Sequence, residues 1–154
     1  MLTATQLTTL KADILADPVL AAIPNTTDGN FEIAAAYNLG AIPDFWVWRT
    51  NVAEEEFVST SSPDGTNWSW TQYIARTEPE RDAWKRMFAS GSANPSRPNV
   101  RQGVADIFSG AQAAPTAQRA HLLAVARRKA ARVEKLFATG TGSTGSPATM
   151  GYEG

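Results

Sequence analysis

The sequence predicts a mainly α-helical fold: a small helical bundle with an extended aromatic connector and a C-terminal extended arm. Three observations carry this expectation. Apolar residues recur at helical spacing through several segments that are bounded by caps, prolines and glycines. One stretch, Phe45-Trp46-Val47-Trp48-Arg49-Thr50, has the aromatic and β-branched content of extended backbone instead. The last residues, Thr139 to Gly154, offer mostly glycine and small hydroxyl side chains, too little apolar surface to build a core.

The elements follow in order. Residues 4–16 place Leu7, Leu10, Ile14 and Leu15 on one side of a helix after Thr3 or Thr5 as cap, and Asp17-Pro18 ends it. A short apolar turn, 19–23, leads through Pro24 to a loop at 25–29. Residues 30–38 give a second helix, closed by Gly40 and Pro43. The Phe45–Thr50 stretch is expected to be a connector that inserts aromatics into the helical core. Residues 51–58 suggest a short helix with its glutamates near the positive end. A polar loop at 59–67 turns at Pro63-Asp64-Gly65, and 68–75 gives one or two helical turns.

The C-terminal helices are more sharply marked. Thr77-x-x-Glu80 is a capping box that opens a helix to about Ser90, with Trp84, Met87 and Phe88 inward and Gly91 as its stop. Pro98 opens another to Ser109, and Gly110 stops it. Pro115 starts the longest, expected to run to Ala138. The predicted division is therefore a helical domain at 1–138 and an arm at 139–154. The arm is expected to be mobile in an isolated subunit and held only by a partner, with Pro147, Met150 and Tyr152 as its anchors.

Composition narrows the function. At 154 residues, 43% apolar and 19% charged, the chain has the profile of one soluble globular domain. It has no cysteine, so disulfides and thiolate metal sites are excluded. No apolar run reaches membrane-spanning length, and the N-terminus lacks the pattern of a secretory signal. Charge is unevenly distributed: residues 1–80 carry three basic and eleven acidic groups, and 81–154 carry eleven basic and four acidic. Either opposite faces meet between subunits, or the halves interleave and cancel.

Catalytic chemistry finds little to stand on. His121 is the only histidine, and no nucleophile lies one turn away. Glu54, Glu55 and Glu56 point three ways around a helix, which suits a solvated face. Gly140-Thr141-Gly142-Ser143-Thr144-Gly145 matches a dinucleotide fingerprint by letter. It follows a helix rather than a strand and has little chain after it, so the phosphate-binding context is missing. The expectation is no enzyme, no cofactor and no metal.

Two interaction features remain. On a helix continuing to Ala138, Arg128, Arg132 and Lys135 form a basic stripe, open to three readings: a solvated face, a contact for an acidic protein partner, or a contact for DNA phosphates. Five tryptophans include the pairs Trp46/Trp48 and Trp68/Trp70. They read either as core pillars or, at Trp46 and Trp48, as a candidate aromatic interface.

The segment DILADPVLAAIPNTTDGNFEIAAAYN (13–38), the motif FWVWRT (45–50) and the ending RVEKLFATGTGSTGSPATMGYEG (132–154) resemble a family of small proteins encoded in the structural-gene clusters of tailed bacteriophages and prophages. These are the head–tail connector, neck or adaptor proteins. The resemblance implies a structural virion protein in a ring of twelve copies around the DNA channel. It would contact the portal protein, a tail or tail-completion protein and, non-specifically, the packaged DNA. The implied place is the virion neck, with assembly in the host cytoplasm and no membrane partner. The rival readings are a capsid decoration or tail-completion/terminator protein, and a helical DNA-binding protein that uses the basic last helix.

Overall fold

The structure, a computed structural model, describes residues 2–59 and 61–150. Among these, helices make up most of the regular structure, as the sequence predicts. They are α1 (Ala4–Ala16), α2 (Pro18–Ala21), α3 (Thr27–Asn38), α4 (Glu54–Ser59), α5 (Trp70–Ile74), α6 (Glu78–Met87), α7 (Pro98–Ile107), α8 (Ala113–Val125) and α9 (Arg132–Phe137). Short strands β1 (Trp46–Trp48), β2 (Val52–Ala53), β3 (Ser92–Ala93) and β4 (Arg127–Lys129) lie between them. The chain forms two compact units. Unit 1 combines the residues up to 47 with those from 129 onward, and unit 2 is 48–128. This differs from the expected division into a helical domain and a separate arm.

Unit 2 is built on Trp84. Its indole is fully buried and lies among the rings of Phe88 (4.8 Å), Trp68 (5.3 Å), Phe108 (5.7 Å) and Phe57 (6.0 Å). Its Nε1–H donates to Glu54 Oε1 at 2.6 Å, so the one polar atom taken from water is matched. Local sequence brings these rings together. Glu80 accepts from both the backbone N–H and the hydroxyl of Thr77, which starts α6 and turns Trp84 and Phe88 inward. Gly91, at φ 92°, closes that helix in a conformation open to glycine. The chain then returns as β3, antiparallel to β2, with Val52 opposite Ala93. Residues 51–58 are thus a strand followed by a helix, because β3 supplies a pairing partner that no local pattern reveals.

His121 lies inside this core. Its Nε2 is 2.8 Å from Phe57 O, and its Nδ1 is 3.1 Å from Thr66 O. Buried polar atoms need such partners. The imidazole ties α8 to α4 and to the loop before α5, which is a structural task.

Unit 1 begins with a reciprocal cap. Thr3 Oγ1 accepts from Gln6 N–H, and Gln6 Oε1 accepts from Thr3 N–H. Asp17 ends α1 and caps α2 by accepting from Val19 and Leu20 N–H. Helix α3 starts three residues earlier than expected because Thr26 Oγ1 caps it through Gly29 N–H. Gly29 is required there: a Cβ would stand 2.0 Å from Pro24 O.

The C-terminal segment is the largest departure from expectation. It folds back into unit 1. Trp46 N–H donates to Gly142 O (2.7 Å) and Trp46 O accepts from Ala148 N–H (2.8 Å), while Thr139 and Thr149 exchange two backbone bonds. Ala148 is 1% exposed and packs with Val47 and Ala130, flanked by Phe45, Ala138 and Met150. The physical reason is that ladder hydrogen bonds and glycine turns order a segment whose side chains alone cannot. Gly142 sits at φ 65°, and a Cβ there would lie 2.1 Å from Phe45 Cε2.

The long helix is also broken. Helix α8 ends at Val125, and the chain runs extended as β4 before α9 begins. No glycine or proline causes this. In unit 2, Ala126 O accepts from Arg49 N–H (2.9 Å). In unit 1, Ala130 donates to Phe45 O (2.8 Å) and accepts from Ala41 N–H (2.9 Å). Helix propensity differs by only a few tenths of a kcal/mol per residue, so this pairing outweighs it.

Candidate functional site

Helix α9 places Arg132 against two carboxylates of unit 1. Its Nη1 donates to Asp17 Oδ2 (2.9 Å) and its Nη2 to Asp13 Oδ2 (3.1 Å). The guanidinium carbon stands 4.7 Å over the ring of Tyr37, whose hydroxyl donates to the same Asp13 oxygen. Lys135 Nζ donates to Ile42 O (3.1 Å). Asp13, Asp17, Arg132 and Lys135 wall an open cavity of about 610 Å³ whose apolar side is Ala36, Leu39, Ile42 and Leu136.

The electrostatics follow from the contacts. The Arg132 hydrogen bond, with the backbone N–H groups of α2, holds Asp17 below the usual aspartate range. Burial, then the Asp13 hydrogen bond and charge, pushes Tyr37 up to about 12. The Asp17 carboxylate bonds also hold Arg132 up. A carboxyl depressed on folding adds stability above the unfolded aspartate value of about 3.9, and that stability is lost as pH falls through the lower folded value. Urea midpoints should therefore drop between pH 5 and pH 3. Arg132→Gln should lower the midpoint at pH 6 and flatten this acid-side drop.

The basic stripe does not survive as a stripe. Arg128 lies in β4 and lines a shallow cavity of unit 2 with Arg49, Glu56 and Arg127. Arg132 and Lys135 belong to α9, one helical turn apart counted with α9's own first residue. Arg132 is engaged with Asp13 and Asp17 of the same chain, so it is not a solvated cation of a helix face. The two charge-rich halves interleave: besides Arg132, Lys129 pairs with Asp44 (2.7 Å), and Arg127 pairs with Asp64. Counted by unit, residues 1–47 and 129–154 hold seven acidic and four basic groups, and 48–128 hold eight and ten. The imbalance shrinks to −3 and +2.

The other sequence-derived residues are also relocated. Pro147 is buried and Met150 half-buried within unit 1, so neither projects as a free anchor, and Tyr152 lies outside the described residues. Trp48 belongs to the unit 2 core with Arg101 stacked 4.6 Å over it, and Trp46 is half-buried. The interface reading of this pair gives way to the core reading at Trp48.

What the sequence reading missed is exposed. Leu7, Leu15, Val19, Phe31, Leu39 and Ile42 of unit 1 and Trp70 and Ile74 of unit 2 are large apolar side chains open to solvent. Helix α1 buries none of its residues. Among the described residues, no group of acids or histidine is placed to hold a metal ion, and no helix is long and apolar enough to cross a membrane. No protein-family model, curated protein or solved structure matches the chain.

Proposed function

We propose that this chain is a structural subunit of a tailed-phage head–tail connector, acting in a multi-copy ring between portal and tail around the DNA channel. The observation that carries the reading is the apolar surface of unit 1: six large side chains stand in water around helices α1 to α3. Large apolar side chains left open in this number on one unit favour contact with other proteins. A subunit whose partners complete it would keep such a surface, and the resemblance in segments 13–38, 45–50 and 132–154 supplies the kind of assembly. Adherence to the portal would use surface groups of unit 1 in place of a free arm.

The rival reading of a basic DNA-binding helix loses support because Arg132 is engaged by two carboxylates. Deleting the gene from its phage or prophage tests the proposal. DNA-filled heads and unattached tails should accumulate. Tailed particles with fragile heads would point to a decoration protein instead, and normal particles would remove the structural reading.

A further inference from the structure

We draw no further inference here: the strongest candidate, the open cavity of unit 1 between Asp13, Asp17, Arg132 and Lys135, belongs to the site already described, and its two carboxylates balance its two cations so that nothing in the structure selects a ligand.

Discussion

Truncation after Thr139 is expected to destabilise unit 1 severely, with loss of its cooperative melting and exposure of Val47. The removed segment supplies the partners of both Trp46 backbone groups and one half of the Thr139–Thr149 pair. Each net hydrogen bond is worth about 0.5–1.5 kcal/mol. Opening the packing of Val47, now 0% exposed, costs about 1.5–3 kcal/mol more. Freed chain entropy offsets part of this, leaving a loss of about 2–4 kcal/mol against the 5–15 typical of a whole domain. Gly142→Val tests the same seat without shortening the chain, because the new side chain meets Phe45 and the backbone is left-handed there. Thermal melts and hydrogen exchange at Trp46 and Ala148 report the result. A truncated chain with unchanged melting would show that the segment is an appendage after all.

Trp84→Ala is expected to cost about 3–5 kcal/mol, the range for emptying a buried aromatic site. Five neighbouring rings would lose their common partner, and Glu54 would lose the indole N–H that it accepts. Trp84→Phe keeps most of the ring contacts but leaves that carboxylate without its donor, so an intermediate loss is expected. Urea unfolding followed by far-UV circular dichroism separates the three chains. Equal stability of Trp84→Ala and the parent would contradict the placement of Trp84 at the centre of unit 2.

The legible parts of the fold are those fixed by neighbours in sequence. Helix α1 with its Thr3 cap, the stop at Asp17-Pro18, and α6 between Thr77 and Gly91 all depend on residues within one or two turns. The break after Val125 was illegible because its causes, Arg49, Phe45 and Ala41, lie about 80 or more positions away in the chain, on the order of a whole small domain. The folding-back of the C-terminal segment was hidden for the same reason: its order comes from the backbone of Trp46 and not from its own side chains. At the candidate site, Arg132 and Lys135 were visible as charges, but Asp13 and Asp17 as their company were not. The exposure of Phe31 and Leu39 was not legible, since a pattern cannot say whether an apolar face has found cover.

Counting copies of the chain in purified virions, by isotope-labelled peptide standards against the major capsid protein, tests the connector reading most directly. A ring subunit should appear at about twelve copies per particle, the closed cyclic number that the resemblance implies. Hundreds of copies would place the chain on the capsid lattice, and none would remove it from the virion; either result would contradict the account.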